Sequence, residues 1–442
     1  GIIELIYPIE KYIFWQSIKN FNELSRKGVL EGVQMVEIPQ KEDGIDTKYL
    51  TQFFEEQEKR IESVINLYYE HKIPLAYLAL SEGGLLNAIG HIQRENRGFI
   101  NFSTGTPEEF EFQMDVAHRI IQDGEKFFID GTSAFFLSES GILRRISKYI
   151  NNIQTPQSVI NFLAETAEKS QYVPGQKGFL SYAKGNLVFS SIEKDMQEKI
   201  HSNFIESIKF FESNSKNIID ISPVNKLDCS SERDIPGELS DACILAQNEK
   251  LPVMTEDFLY LKSNELETTK PAPEYFSSLA LIKSLYEVGH ISFTEYLEYF
   301  SYLSGYRFRF LSIHSEDIEK AIFGEGNDRF VKPNNLLLLN LPLILSEEYG
   351  VSFEIGISVI VKFLVKLLLD KSLTTDITEQ IYLKIIDVFP TSRSKETLSL
   401  MLISQCYQVI LHNTSEYIKT PDSESFGRAI EKLLELIELT PS

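Results

Sequence analysis

Short apolar runs and longer amphipathic stretches alternate through the middle of the chain. The apolar runs fall at residues 126–129, 153–155 and 251–255, and runs of this length are typical of buried strands. The stretches around them have apolar positions at helical spacing; they cover residues 107–122, 156–169, 192–212 and 236–250. Strands that alternate with helices predict a mainly parallel α/β sheet.

Four further elements are predicted around this sheet. Residues 179–191 alternate around a Lys-Gly-Asn turn, which indicates an inserted hairpin. We also predict strands at residues 98–103 and 217–222 and a helix at residues 138–150. The region as a whole has the pattern of one α/β domain.

The regions on either side are predicted to be mostly helical. Before the sheet, residues 46–71 and 73–96 have helical spacing, the second broken at a Gly-Gly pair, and residues 31–38 indicate one strand. After it, residues 264–273 have the composition of a linker. Six helices and a short strand at residues 306–310 are predicted beyond; the helices cover residues 274–287, 293–303, 355–369, 376–388, 395–412 and 425–439.

This pattern predicts three regions. Residues 1–97 form a mostly helical amino-terminal region, residues 98–263 the α/β domain and residues 274–442 an α-helical carboxyl-terminal domain. A chain of 442 residues is long enough for two or three domains.

Acidic residues cluster where one predicted helix starts and the next strand ends. Glu238 and Asp241 lie in the first turns of the helix, and Glu256 and Asp257 follow the strand. A helix rises about 1.5 Å per residue and a strand about 3.3 Å, so this helix and the strand that runs back beside it cover similar distances. The end of the strand should therefore lie beside the start of the helix, and the four carboxylates should lie close together. Crowded carboxylates stay ionised when a cation lies between them, and a hard divalent metal suits them best.

Asp130 has a corresponding position, at the carboxyl end of the strand at residues 126–129. Sites in open α/β sheets lie outside these strand ends. Each aspartate also has a simpler interpretation: Asp130 before a glycine is typical of a turn, Asp241 suits the helix dipole, and Asp257 suits a helix cap. Their joint placement at one sheet edge favours a metal site.

Charge and cysteine usage limit the partners and the compartment. The net charge of −21 repels polyanions, so binding of nucleic acid would need metal ions or a local basic patch. A candidate patch lies on a predicted helix and consists of Arg144, Arg145 and Lys148. The simpler interpretation is that these charged side chains face solvent. Three cysteines without a CxxC pair indicate a reducing, cytoplasmic location. The apolar tract at residues 355–369 contains two lysines and is shorter than the roughly 20 residues of a bilayer span, so no membrane contact is expected.

The segments FFIDGTSAFFLSESGILRRI, TPQSVINFL and ELSDACILAQNEKLPVMTEDFLYL resemble a PIN domain, the metal-dependent nuclease fold of many bacterial toxins. More narrowly, they resemble the PIN domains of bacterial proteins with tetratricopeptide repeats and a Gre-factor carboxyl-terminal-like domain. The resemblance extends over residues 62–322. It implies that the chain is the end of a larger bacterial protein.

The resemblance also implies about four acidic residues that hold one or two Mg²⁺ or Mn²⁺ ions. Asp130, Asp241 and Asp257 match the first, third and fourth acidic positions, and Thr132 or Ser133 matches the polar positioning residue. At the second position the sequence departs from the family, because Phe162 stands there. Auxiliary metal ligands would be Glu165, Glu238 and Glu256.

Two functions are consistent with these residues. The first is a metal-dependent nuclease that hydrolyses phosphodiester bonds, with RNA favoured because PIN relatives usually cut RNA, in a toxin-like or antiphage setting. The alternative is a catalytically inactive PIN fold that serves as a scaffold or regulatory module beside other domains or subunits of a larger bacterial assembly. Phe162 and the acidic net charge favour the alternative.

Overall fold

The structure of the chain is a computed structural model. It describes residues 40–41, 44–45, 63–70, 72–94, 99–101, 107–171, 178–183, 186–191, 193–214, 235–268, 271–309, 311, 314–323, 353–370, 372–388, 394–412 and 423–438. The predicted strands at residues 31–38 and 217–222 lie outside these ranges, as does most of the predicted helix at residues 46–71.

The amino-terminal elements are short strands and a helical hairpin. In chain order they are β1 (Gln40–Lys41), β2 (Gly44–Ile45), α1 (Leu75–Glu82), α2 (Leu85–Arg94), β3 (Ile100–Asn101) and α3 (Pro107–Asp123). Residues 63–69 are helical as well. The predicted break between α1 and α2 is confirmed: Gly83 and Gly84 have φ of +76° and +135°, values that favour glycine.

The central elements alternate between strand and helix. They are β4 (Phe127–Ile129), α4 (Gly131–Ser140), α5 (Leu143–Ile146), β5 (Ile153–Gln154), α6 (Gln157–Ser170), β6 (Gly178–Ala183), β7 (Asn186–Ser191), α7 (Lys194–Asn214), α8 (Gly237–Glu249), β8 (Val253–Met254), α9 (Phe258–Thr268) and β9 (Tyr275–Phe276). The predicted single helix at residues 138–150 is wrong. Gly141, with φ of +75°, ends α4, because a left-handed residue terminates an α-helix.

The carboxyl-terminal elements are mostly helices. They are α10 (Ser278–Glu287), α11 (Phe293–Gly305), β10 (Phe308–Arg309), α12 (Ser315–Phe323), α13 (Phe353–Leu369), α14 (Thr375–Val388), α15 (Lys395–His412) and α16 (Ser423–Glu438). Strand β10 pairs with β3 in parallel. Among the described residues, every helix is too short or too polar to span a bilayer.

Four strands form one parallel sheet in the order β5-β4-β8-β9. This confirms the predicted mainly parallel α/β sheet. The side chains of β4 and β8 are fully buried, as expected for strands covered on both faces. Helix α3 packs against β9 and α10, and α8 packs against β4. Strands β6 and β7 form a separate antiparallel hairpin, in agreement with the predicted insertion.

The fourth strand lies where the sequence predicts a linker and a helix. Helix α9 continues to Thr268, and residues 275–276 pair with β8 before α10 begins. The linker prediction is therefore wrong for residues 264–268, and the predicted helix start at residue 274 is wrong by four residues. A two-residue strand is too short to show alternation. The division into three regions stays a prediction.

Candidate functional site

Three neighbouring strands end together at one edge of the sheet. Ile129 pairs with Met254, and Met254 pairs with Phe276. Asp130, Thr255 and Ser277 are therefore the next residues of their strands at the same edge. The segment at residues 255–257 and the starts of α4 and α10 meet here, at the usual location of sites in α/β sheets.

Asp130 is the amino-terminal cap of α4. Its backbone is extended, with φ of −90° and ψ of 172°, and its Oδ1 accepts from the Ser133 backbone N–H at 2.9 Å. The Thr132 hydroxyl donates to it at 2.8 Å, and the Thr255 hydroxyl donates to Oδ2 at 2.6 Å. The carboxylate is buried, and protein donors occupy both of its oxygens.

Glu256 points to the start of a different helix. Its Oε1 accepts from the Ser278 backbone N–H at 2.8 Å, in the first turn of α10, and from the Ser133 hydroxyl at 3.2 Å. Its own N–H donates to Thr132 Oγ1 at 2.9 Å. The side chain is fully buried, and Oε2 has no hydrogen-bond donor among the described residues.

Asp257 points to a third helix. Its Oδ2 accepts from the Ala76 backbone N–H at 2.7 Å, in the first turn of α1. Its N–H donates to Thr255 Oγ1 at 2.9 Å. The side chain is 3% exposed, and within the described part of the chain Oδ1 finds no donor. The three carboxylates thus reach the amino-termini of three separate helices.

Burial controls the protonation of this cluster. It raises the pKa of Asp130 to about 6, although the hydrogen bonds from Thr255, Ser133 and Thr132 lower it. Burial also raises the pKa of Glu256 and of Asp257 to about 7 each, and the charge of Asp130 raises both further. Below neutral pH the cluster therefore holds protons that exposed carboxylates would have released.

Asp241, Glu238 and Glu165 form a second acidic group. Burial raises the pKa of Glu238, and the charges of Glu165 and Asp241 raise it as well. Burial raises the pKa of Asp241, and the nearby Ser158 hydroxyl lowers it. The Ser158 hydroxyl does not form a hydrogen bond of normal geometry with any described residue. The helix carrying Asp241 comes close to Asp130, because a Cβ on Gly131 would lie 2.8 Å from the Glu238 carbonyl oxygen.

The second acidic position of the family is apolar here. Phe162 is buried and its ring packs 6.5 Å from that of Phe135, centroid to centroid. Glu165, one turn further along α6, is exposed. Phe162 therefore belongs to the core, and its helix offers a carboxylate only on the outer surface.

The acidic residues do not fit a divalent ion in this arrangement. Mg²⁺ and Mn²⁺ need several oxygens that converge on one point, usually with water. No group of three or more Asp, Glu, His or Cys side chains among the described residues has such an arrangement. The oxygens of Asp130 are occupied by hydroxyls and an amide, and its cluster is closed to solvent. The metal-ligand roles of Asp130, Asp241 and Asp257 stay predictions.

The predicted phosphate-binding residues have acidic or aromatic partners. Arg144 lies 3.6 Å from Glu206, and Arg145 lies 2.8 Å from Glu298. Lys148 Nζ lies 4.6 Å from the ring centroid of Tyr149, the next residue. Phosphate binding by this group stays a prediction.

Sequence reasoning missed the donors that complete the cluster. Thr255 ends the predicted strand at residues 251–255, so its position at the edge was accessible from the strand pattern. Ser278 was not accessible, because strand β9 before it has only two residues. Ala76 was not accessible in this way, because its backbone amide reaches Asp257 across 181 residues of chain. A backbone donor cannot be recognised from the sequence, because every residue except proline has a backbone N–H.

The four-stranded parallel sheet, with acidic residues after β4 and β8, defines a PIN-like α/β domain. Residues 128–264 match the family model of the PIN domain associated with the TPR-GreAB-C-PIN system. The predicted resemblance to that PIN domain is confirmed over this segment, which therefore has a nuclease-like fold in a multi-domain context. No curated protein and no solved structure matches the chain.

Gly131→Ala should destabilise the protein because its Cβ would lie 2.8 Å from the Glu238 backbone oxygen and 3.0 Å from Glu238 Cβ. Overpacking of this kind costs about 1–3 kcal/mol. A thermal unfolding midpoint several degrees below wild type is expected, since about 2–4 °C corresponds to each kcal/mol in a domain of this size. The control is Gly90→Ala in α2, where no atom lies within 4 Å and alanine favours the helix. Equal midpoints for Gly131→Ala and wild type would contradict the close contact.

Stability should fall as pH rises from about 5 to about 8. The unfolded carboxyl groups have pKa values of about 4, whereas those of Asp130, Glu256 and Asp257 are about 6 to 7 when folded. Over this range the folded chain binds more protons, so each group removes up to about 1.4 kcal/mol of unfolding free energy per pH unit. The unfolding midpoint, measured at each pH, should fall less steeply in Glu256→Gln, which keeps the acceptor for Ser278. An identical slope in the variant and wild type would show that Glu256 does not contribute.

Proposed function

We propose that this chain uses its PIN fold as a scaffold or regulatory module within a larger multi-domain bacterial protein. The observation that carries the proposal is the set of partners of Asp130, Glu256 and Asp257. Each of these buried carboxylates accepts a backbone N–H from the first turn of a different helix. The acidic edge therefore joins helices to the sheet.

Helix amino-termini are suitable partners for such carboxylates. The first amides of a helix have no acceptor within the helix, and the helix dipole places about half a positive charge there. These donors satisfy one oxygen of each acid and partly compensate its charge. Two of the helices, α1 and α10, lie outside the segment that matches the PIN family model. The carboxylates thus connect the PIN segment to both of its flanks.

The protein partners in this proposal are the other domains or subunits of the assembly that the family description names. The apolar core at the second acidic position, filled by Phe162, is consistent with a structural role. A cytoplasmic location belongs to the same proposal, because the described cysteines, Cys243 and Cys406, are free and buried and such thiols are typical of reducing compartments.

A second candidate is a metal-dependent nuclease, for which RNA is the favoured substrate and an antiphage role the proposed setting. Two buried oxygens favour it, Asp257 Oδ1 and Glu256 Oε2, which lack donors among the described residues. Mg²⁺ or Mn²⁺ would require Asp130, Asp241 and Asp257 to converge, with auxiliary ligands from the other acids; these are Glu165, Glu238 and Glu256. Thr132 or Ser133 would then position the substrate, and the basic group at Arg144, Arg145 and Lys148 would contact phosphates.

Addition of Mn²⁺ separates the two functions. For a scaffold, 1 mM MnCl₂ should leave the unfolding midpoint of wild type and of Asp241→Asn unchanged, and RNA should stay intact after incubation. A filled site would instead add about 2.7 kcal/mol when the ion is at 100 times its dissociation constant. The control variant is Glu249→Gln, an exposed acid on the same helix. A rise in wild type and in Glu249→Gln that is lost in Asp241→Asn, together with RNA cleavage, would overturn the scaffold proposal.

A further inference from the structure

Helix α1 begins without a capping side chain of its own. Its amino-terminal cap is Pro74, with φ of −72° and ψ of 164°, and this cap residue makes no side-chain hydrogen bond to the helix. Proline has no polar side chain that could accept from the first helical amides, and buried amides without acceptors are costly. The acceptor must therefore come from another part of the chain.

Asp257 supplies that acceptor. Its Oδ2 lies 2.7 Å from the Ala76 nitrogen, and the Leu75 amide also stabilises its charged form. The side chain thus acts as a tertiary cap for a helix that lies 181 residues earlier in the chain. In return, the first turn of α1 covers the carboxylate, which is 3% exposed.

Helix α1 packs against two neighbouring helices. Leu75, Ala76, Leu78 and Ala79 are all fully buried, and α1 packs chiefly against α2 and also against α9, the helix that follows Asp257. The contact with α9 and the hydrogen bond to Asp257 therefore lie next to each other on the domain. Together they close the PIN edge from its amino-terminal side.

Helix α10 covers the neighbouring Glu256 but is fixed differently. It has its own cap, because the Ser277 side chain accepts from the Ala280 N–H, and strand β9 directly before it is paired with β8. Helix α1 has neither support. Two glycines of positive φ follow it, and a Cβ on Gly84 would meet no atom within 4 Å. Of the two covering helices, α1 is the one whose amino-terminal cap is supplied by an edge carboxylate.

We propose that α1 is an intramolecular cap of the PIN edge, held by Asp257 and released as a unit about the joint at Gly83-Gly84. Release exposes Asp257 and its unpartnered Oδ1, while α10 and the sheet stay in place. The inference rests on the proposed function, because it concerns the same edge, and it names the element that opens this edge. It also gives the amino-terminal region a role: a partner that binds α1 would act on the PIN domain.

Hydrogen exchange followed by mass spectrometry tests the cap without metal or RNA. In wild type, amides of residues 75–82 should exchange at least about 10-fold faster than those of β4 and β8, since local opening needs less free energy than global unfolding. Asp257→Ala should increase exchange in this helix by a further factor of about 10, as expected for a lost hydrogen bond to a buried acid. Asp257→Asn, which keeps an acceptor oxygen, should stay within about 3-fold of wild type.

Glu256→Ala is the matched control, because it removes the adjacent acid. It should speed exchange at the start of α10, around Ser278, and leave α1 unchanged. Unchanged α1 exchange in a folded Asp257→Ala variant would overturn the cap. If this variant does not fold, the wild-type comparison decides, because α1 protected as strongly as β4 would equally overturn it. A Mn²⁺ shift with RNA cleavage would overturn the scaffold function alone, so the two failures are distinguishable.

Discussion

The arrangement at the sheet edge depends on how three buried acids are compensated. Asp130, Glu256 and Asp257 lie together where β4, β8 and β9 end, and each is stabilised by the first turn of a helix. An unpaired carboxylate in such a place would cost several kcal/mol. The helix amides reduce that cost, and protonation reduces it further because burial raises the three pKa values. The positions of α1, α4 and α10 are thus coupled to one polar cluster.

Much of this arrangement follows from local sequence patterns. The apolar runs predicted β4, β5 and β8, and helical spacing predicted the helices between them, because both patterns reflect burial within a few residues of chain. Asp130 and Asp257 were placed at the same edge by the rule that parallel strands end together. The simpler interpretation of Asp130 was a turn residue, and in the structure Asp130 is the amino-terminal cap of α4. The cap interpretation of Asp257 is incomplete, since its side chain accepts from the Ala76 amide of α1, while the Tyr260 amide in the first turn of the following helix also lowers its pKa.

What the sequence did not predict depends on distant or very short features. Strand β9 has only two residues, so no periodicity indicates it. The contact between Ala76 and Asp257 involves a backbone amide, which every residue except proline has. The solvent exposure of the acids could not be predicted from the sequence either, because it depends on how α1 and α10 pack over the sheet edge. Local patterns therefore placed Asp130 and Asp257 at the ends of paired strands but could not indicate whether solvent reaches them. The predicted meeting of these acids with Glu238 and Asp241 stays a prediction.

Solvent access is what separates a structural acid cluster from a catalytic one. A catalytic divalent ion carries two charges and must keep a coordination position open for water or substrate, whereas a helix amino-terminus supplies about half a charge and needs no solvent. At Asp257 the partner is a helix amino-terminus, that of α1. The buried face of α1 excludes the water that a catalytic divalent ion would require. The proposed cap and the predicted metal site therefore compete for the same carboxylate. Because Asp257 accepts from α1 and is also a predicted metal ligand, the proposed cap couples the position of the amino-terminal helix to the chemistry proposed for the PIN edge.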